Sequence, residues 1–307
     1  MNPAYSVILF TTASGAGYGL LALLGLVGLQ HGQALSLAFA LTALIVALAL
    51  ITVGLLSSTF HLGHPERAWR AFSQWRSSWL SREGVAAVLT YPVAFAFGAT
   101  WSGLIPAPHL IAPLGLLTSV MCAITVFCTG KIYSTLPTIR QWHQSLTVPV
   151  YLVFAAATGA VLLAAIATPF GRFQWFQAAL ATTLLLAALI LKQAYWFMID
   201  GDKRTHTISA ATGLKGDVRQ WEVPHTNVNF IQKEMGFVVA RKHAQRLRLL
   251  AASALALAAM AMLLSLSWPY ASWLAVILAT IGVTVERWLF FAEARHVVNL
   301  YYGLPQA

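Results

Sequence analysis

Eight long apolar runs dominate this sequence, separated by short segments that contain polar, Pro or Gly residues. A bilayer core about 30 Å thick needs roughly 20 apolar residues per helix, so each run is long enough to cross it. The runs lack the alternation of barrel strands, and lipid offers no partner for exposed backbone groups. We therefore predict an all-α integral membrane protein, a bundle of eight transmembrane helices forming one domain over residues 1–307. The predicted spans are approximately 6–30, 34–60, 83–105, 110–130, 147–168, 174–199, 247–267 and 270–292.

The composition excludes several other classes of protein. Hydrophobic residues make up 59% of the chain, charged residues only 9%, and the mean hydropathy is +0.72. So few polar side chains cannot cover a folded surface in water, which excludes a soluble enzyme, a disordered protein and a secreted disulfide scaffold. An iron-sulfur cluster normally needs four thiolates, and the chain has only Cys122 and Cys128. We therefore predict no cluster in this chain and assign both cysteines to helix packing.

The basic residues predict the orientation of the bundle. The formal net charge is +10, but Lys and Arg lie between apolar runs, so topology explains them better than a nucleic-acid partner does. Eight spans place both termini on the same side as the connections 2–3, 4–5 and 6–7. All 19 Lys and Arg residues except Arg172 and Lys192 fall on that side. Because Lys and Arg are retained inside, we predict that both termini and the large loops are cytoplasmic. Lys192 lies within helix 6 and should reach the interface or a partner.

The segment that joins helices 2 and 3 is the richest in chemistry. Its sequence over residues 57–84 is SSTFHLGHPERAWRAFSQWRSSWLSREG. Positive-inside arginines, interfacial tryptophans and helix-dipole effects explain much of this composition. Helices 2 and 3 should nevertheless pack side by side, which brings His61 and Glu83 to one membrane depth across the inward loop 61–82. Both side chains titrate, as a carrier of two electrons and two protons in the bilayer requires at its head group. We therefore predict a quinone site here.

This segment resembles the matching loop of the DmsC family, the membrane anchor subunits of dimethyl sulfoxide reductase and related molybdenum oxidoreductases. The resemblance rests on a His-Leu-Gly-x-Pro-x-Arg-Ala pattern followed by Ser-x-Glu, and the eight-helix layout extends it over nearly the whole chain. The matching residues are His61, Leu62, Gly63, Pro65, Arg67, Ala68, Ser81, Arg82 and Glu83.

The resemblance implies a multi-pass anchor in a bacterial cytoplasmic (inner) membrane. Such an anchor binds quinone or quinol, either menaquinone or ubiquinone, without a haem or cluster of its own. Its expected partners are an iron-sulfur electron-transfer subunit and a molybdopterin catalytic subunit on the cytoplasmic side. The family's quinone-site His and Glu correspond to His61 and Glu83. His64 is a further expected quinone-binding residue. Arg67, Arg70 and Arg82 are expected to set the local potential, and Trp75 or Trp79 is expected to stack on the ring.

A long basic loop over residues 200–246 is predicted to be cytoplasmic. It can lie on anionic lipid as a solvated cationic segment, or it can dock a partner subunit. It shows a weaker resemblance to the corresponding loop in anchors of cytoplasmic sulfite-oxidising complexes. The candidate docking residues are Trp221, Phe230, Phe237, Arg241 and Lys242.

Two other functions remain open on the sequence. A b-type haem would need two imidazoles facing each other, with His61 paired to His64, His143 or His296. A secondary transporter usually carries polar groups at the membrane midplane, whereas the helix centres here hold almost no ionisable residue besides Lys192. The motif SGAGYG, with Gly15, Gly17 and Gly19, follows no strand, so it predicts close helix packing instead of a nucleotide site. The sequence determines neither the partner's substrate, sulfite or dimethyl sulfoxide, nor the direction of electron flow.

Overall fold

The computed structural model describes residues 3–34, 36–202, 206–222, 227, 229 and 239–302, with all their side chains except those of His61 and residues 239–242. Within these ranges, eight helices are long and apolar enough to cross a membrane. We label them α1 (Tyr5–His31), α2 (Leu37–Phe60), α3 (Trp79–Trp101), α4 (Pro108–Ser134), α5 (Thr147–Phe170), α6 (Trp175–Gly201), α7 (Val239–Leu264) and α8 (Ala271–Ala292). The all-helical bundle of eight candidate spans confirms the predicted architecture.

The start of α7 lies eight residues before its predicted position, but the difference that affects the candidate site is the start of α3. The helix begins at Trp79, four residues before the predicted start, because Ser78 has an extended backbone and its hydroxyl accepts a hydrogen bond from the Ser81 N–H at 3.5 Å. Trp79 and Arg82 therefore belong to the first turn of a membrane helix and not to the loop before it.

Shorter helical segments modify the ends of the spans. A π-helical turn, Phe10–Ser14, interrupts α1, and a 3-10 turn, Ser58–His61, ends α2. A 3-10 helix, Pro65–Gln74, occupies most of the connection between α2 and α3. Two short helices, Ile208–Thr212 and Val298–Tyr301, lie outside the spans. We call the end of the bundle that carries the connections α2–α3, α4–α5 and α6–α7 the loop face.

The bundle is built around α5, which packs against α1, α4, α6 and α8 and is the most buried span. Glycine allows the closest of these approaches. A Cβ atom on Gly19 of α1 would overlap the carbonyl of Ala155 in α5, and one on Gly159 would overlap the backbone of Gly19. A Cβ atom on Gly17 would also be too close to the backbone of α2, whereas Gly15 has open space around it. The structure thus confirms the close-packing interpretation of SGAGYG at Gly17 and Gly19.

Candidate functional site

The inward loop 61–82 lies on the loop face, and most of its polar side chains point away from the bundle. His64, Arg67, Arg70 and Trp75 are all exposed. Nδ1 of His64 lies 3.0 Å from Oε1 of Glu66, and Nε of Arg67 lies 3.7 Å from the same oxygen. None of these four predicted quinone-binding side chains lines the groove or the cavity described below. In the chain alone they form part of the outer surface of the loop face.

Trp79 and Arg82 fix this loop to the bundle. Nε of Arg82 donates to the carbonyl of Trp75 at 3.0 Å, and its guanidinium lies over the Trp79 ring at 4.3 Å from the centroid. Trp79 in turn packs edge-to-face against Phe127 of α4 at 5.9 Å. The Ser81 hydroxyl donates to the carbonyl of Ala71. These contacts hold the loop directly over the start of α3, where Glu83 enters the bundle.

Glu83 is the one predicted site residue with a described side chain that the structure buries inside the bundle. Its carboxylate accepts a hydrogen bond from the Thr129 hydroxyl of α4. A carboxyl group inside a membrane bundle is costly unless it is hydrogen-bonded, so its presence marks a functional candidate. His61 ends the turn Ser58–His61, which packs against the first residues of α1. Its side chain lies outside the described part, so the pairing of His61 with Glu83 stays a prediction.

A small polar cavity lies on the other side of Thr129. Its volume is about 20 Å³, close to the space that one water molecule needs. Thr129 and Tyr18 line it together with Ser14, Tyr151 and Arg287. The Tyr18 hydroxyl is buried and has no hydrogen-bond partner among the described residues. A water molecule here would satisfy that hydroxyl and would connect it to the Thr129–Glu83 pair.

A large apolar groove runs along α1, α5 and α8 and adjoins this cavity. It has a volume of about 720 Å³, and its walls are almost entirely apolar. Thr12, Ala16, Thr158 and Val283 line both the groove and the small cavity, so the two spaces adjoin. The π-helical turn of α1 contributes to both, and such turns occur frequently at functional sites. A spacious apolar groove thus leads to a polar, water-sized space next to a buried carboxyl.

Three charged side chains form a second buried group, which the sequence interpretation missed. Nζ of Lys192 in α6 lies 2.6 Å from Oε1 of Glu286 in α8, and Nε of Arg287 lies 2.8 Å from the other oxygen of that carboxylate. Lys192 thus finds the partner that the sequence predicts. Arg287 was counted with the inward loops, but it is fully buried. The sequence-based argument against a transporter counted only Lys192 at the helix centres, and the structure adds buried Glu286 and Arg287 nearer the end of α8.

The described histidines lie near the ends of the helices or in the connections, and each is exposed or half-buried. His143, a proposed haem partner, is exposed, and its Nδ1 lies 2.6 Å from the carbonyl of Ser134. His296 is half-buried beyond the end of α8. No group of three or more His, Cys, Asp or Glu side chains is placed to hold a metal ion in the part of the chain that the structure describes. Cys122 and Cys128 are free and buried.

The long loop 200–246 is described only in part. Trp221 is almost fully exposed, and the neighbouring amide of Gln220 donates to the carbonyl of Tyr301 at 2.9 Å. Phe230 and Phe237 lie outside the described residues, as do the side chains of Arg241 and Lys242. Of the predicted docking residues, Trp221 is thus the one whose surroundings are known, and they leave its whole ring accessible.

Comparison with known proteins assigns the family. The model of the DMSO reductase anchor subunit (DmsC) family matches residues 1–304. The chain belongs to the DmsC family. It is also 34% identical to a sulfite dehydrogenase subunit of Allochromatium vinosum, over 98% of this chain and 99% of that protein. This DmsC-type chain is therefore a multi-pass membrane anchor of an oxidoreductase complex, which confirms the family resemblance carried by the His61–Glu83 segment.

Proposed function

We propose that this anchor is quinone-reactive and passes electrons between a peripheral iron-sulfur subunit and the quinone pool. The observation that carries the proposal is the apolar groove that adjoins a small cavity lined by Thr129, the hydrogen-bond partner of buried Glu83. A quinone or quinol has an apolar isoprenoid tail and a polar ring, and a cleft of this size with a few convergent polar groups is typical of small-molecule sites. The residues present therefore fit this class of molecule.

The groove and the cavity differ in size and would therefore accommodate different parts of the quinone site. The cavity of about 20 Å³ is too small for a ring, so a bound ring would occupy the part of the groove next to Thr12 and Thr158. The groove of about 720 Å³ has room for the ring and the first part of the tail. The buried Tyr18 hydroxyl, which lines the cavity, would be the group that donates a hydrogen bond to the ring, directly or through one water.

Glu83 would exchange protons with the ring oxygen. A bound quinone supplies the two-electron, two-proton chemistry, and a proton donor or acceptor must lie within hydrogen-bond reach or one water away. Thr129 and the water-sized cavity provide such a path from the Glu83 carboxyl toward the groove. The turn that ends at His61 packs beside the residues of α1 that form the other end of the groove. His61 is thus proposed to act near the loop face, at the entrance.

The exposed residues of the loop 61–82 have a different role in this proposal. His64, Arg67, Arg70 and Trp75 lie where a peripheral subunit would cover the start of α3. The contacts of Trp79 and Arg82 fix the position of that surface relative to Glu83. Electrons would enter or leave above Glu83 on the loop face. The molybdopterin subunit would lie beyond the iron-sulfur subunit, and Trp221 would contribute to docking. The name of the A. vinosum relative makes sulfite oxidation the first substrate to test.

Purification of the complete complex tests this function. We expect the chain to co-purify with an iron-sulfur subunit and a molybdopterin subunit, and the complex to exchange electrons with a short-chain quinone. The isolated chain, free of iron and molybdenum by metal analysis, should show no turnover with either quinol or a soluble dye. Quinol oxidation by the isolated chain would contradict the anchor role, and a complex that reacts with dye but never with quinone would contradict the quinone site.

The proposed orientation places the loop face in the cytoplasm of a bacterial inner membrane. Lys215→Cys lies in the exposed part of the long loop, and the matched variant Ser267→Cys lies in the exposed connection α7–α8 at the opposite end. In intact spheroplasts, an impermeant thiol reagent should label Ser267→Cys and leave Lys215→Cys unlabelled until the membrane is opened, because Lys and Arg loops are retained inside. The reverse labelling would invert the topology and move the partner subunits to the other compartment.

A further inference from the structure

The buried pair Lys192–Glu286 belongs to a longer row of charges with alternating sign. Nε of Arg248 in α7 lies 2.8 Å from Oε1 of Glu293, and its Nη1 lies 2.5 Å from Oδ2 of Asp200. Glu293 also contributes to the electrostatic field at Lys192, although the two side chains are farther apart than the ion pair Lys192–Glu286. The row joins α6, α7 and α8 and contains three positive and three negative groups. In order, it runs Arg287, Glu286, Lys192, Glu293, Arg248 and Asp200.

Exposure rises along this row from the bundle interior to the loop face. The exposed fraction of the side chain is 0% at Glu286, 1% at Lys192, 8% at Glu293, 17% at Arg248 and 60% at Asp200. Asp200 lies at the end of α6 and Glu293 directly follows α8, so both belong to the loop face. The row thus connects the buried interior with the aqueous phase on one side only.

The inner end of the row reaches the proposed quinone site. Arg287 lines the water-sized cavity together with Thr129, whose hydroxyl binds Glu83, and with the unpartnered Tyr18. Aromatic rings also face the row. The Arg287 guanidinium lies 3.9 Å from the ring centroid of Tyr151 in α5, and Nζ of Lys192 lies 3.9 Å from that of Tyr195 in α6.

A purely structural role explains the row less well than transport does. Buried ion pairs are weak stabilisers, because desolvation offsets most of their attraction, and a brace between α6 and α8 would need two charges and not six. Intramembrane ionisable groups that form a graded series toward water are typical of proton relays. Burial raises the pKa of Glu293 above its ordinary value, although the Arg248 hydrogen bond opposes the shift, which brings this carboxyl closer to proton exchange at neutral pH.

We propose that this row is the proton path between the quinone site and the water at the loop face. The inference rests on the proposed function. Reduction of a quinone takes up two electrons and two protons, and oxidation of the quinol releases them. The electrons pass to or from the peripheral subunit, while the protons move between the cavity and Asp200. Glu286, Lys192 and Glu293 exchange them, and water beside Arg287 and Arg248 completes the path at its two ends. The two arginines keep their own protons and hold the carboxylates in place.

The test uses the complete complex in membranes, with turnover measured per assembled complex. Glu286→Gln keeps the size of the side chain and removes its ability to carry a proton. We expect quinone-linked turnover to fall about tenfold while dye-linked turnover and quinone affinity stay at parental values, because the electron path and the groove are intact. Azide or formate, small weak acids that shuttle protons, should restore part of the lost rate. Asp217→Asn, an exposed carboxylate paired with Arg219 on the surface, is the matched control and should match the parent.

Each other outcome contradicts a defined part of the inference. Parental turnover in assembled Glu286→Gln complex, or a loss that azide and formate leave unchanged, would show that the row is structural. If the complex with Glu286→Gln fails to assemble, the same measurements are made on Glu293→Gln. Glu293 lies at the more exposed end of the row, and the amide oxygen of the glutamine still accepts a hydrogen bond from Arg248. Parental quinone-linked turnover in the Glu293→Gln complex would contradict the proposed proton path. A parent complex with no quinone activity would instead refute the proposed function itself.

Discussion

Glu83→Gln should remove most of the quinone-linked turnover of the assembled complex while leaving its dye-linked turnover unchanged. The glutamine keeps the volume of the side chain and an oxygen that accepts from Thr129, so the packing between α3 and α4 is preserved. It cannot exchange a proton with the groove. A hydrogen bond to a charged or titrating group contributes about 1.5–3 kcal/mol, so turnover or quinone affinity should fall by roughly one to two orders of magnitude.

The measurement compares membranes with equal amounts of assembled complex, determined by immunodetection of the partner subunits. His61→Ala should show the same selective loss, and His61→Gln should also lose activity and change the pH profile if His61 transfers protons. Asp217→Asn again serves as the carboxylate control. Should quinone turnover in fully assembled Glu83→Gln complex equal that of the parent, Glu83 would be a structural residue and the quinone site would have to be sought elsewhere.

Gly19→Val should prevent the bundle from accumulating. Any Cβ at this position overlaps the backbone carbonyl of Ala155 in the central helix α5, and backbone cannot move aside as a flexible side chain can. Overpacking of this kind costs about 1–3 kcal/mol even where side chains can adjust, and it acts here on the contact that joins α1 to α5. We expect the amount of anchor in the membrane, and of partner subunits bound there, to fall several-fold or more.

Gly15→Val in the same helix is the matched control. Nothing lies within 4 Å of the position that a Cβ on Gly15 would occupy, so the added side chain meets no protein atom with its first carbon. Its accumulation and thermal stability after detergent extraction should stay near parental values. Equal accumulation of Gly19→Val and the parent would show that α1 and α5 can separate without loss of the fold, and would remove the central packing contact from our account.

The sequence predicts the spans well because membrane helices depend mainly on local composition. Twenty or so apolar residues must be helical in lipid whatever their neighbours, so each span is visible without knowledge of the others. The start of α3 was missed because a single hydrogen bond to Ser78 decides it. Ser-x-x-Ser before an apolar run is a weak signal, and the adjacent Arg82 and Glu83 made this segment resemble a loop.

The candidate site is less visible in the sequence because it depends on contacts between distant residues. Glu83 could be selected from its motif, but Thr129 and Tyr18 look like ordinary helix residues until α1, α3 and α4 are packed together. The groove is formed by apolar residues that do not differ from those facing lipid. The burial of Glu286 and Arg287 was also missed, because both lie seven or fewer residues from the end of a predicted span and Arg287 was counted with the loops.

The position of the Lys192 partner at the end of the chain also has a consequence for biosynthesis. A lysine at the centre of a membrane helix costs about 2.5–3.5 kcal/mol on insertion scales, and α6 leaves the ribosome long before α8. Until Glu286 is inserted, Lys192 has only its aromatic neighbours Tyr195 and Trp196 in its own helix to shelter it. The last span to be synthesised therefore supplies the counter-charge for an earlier one. A truncated chain that ends before α8 retains an uncompensated cation in the bilayer, which makes it a substrate for membrane quality control and reserves the stable bundle for completed chains.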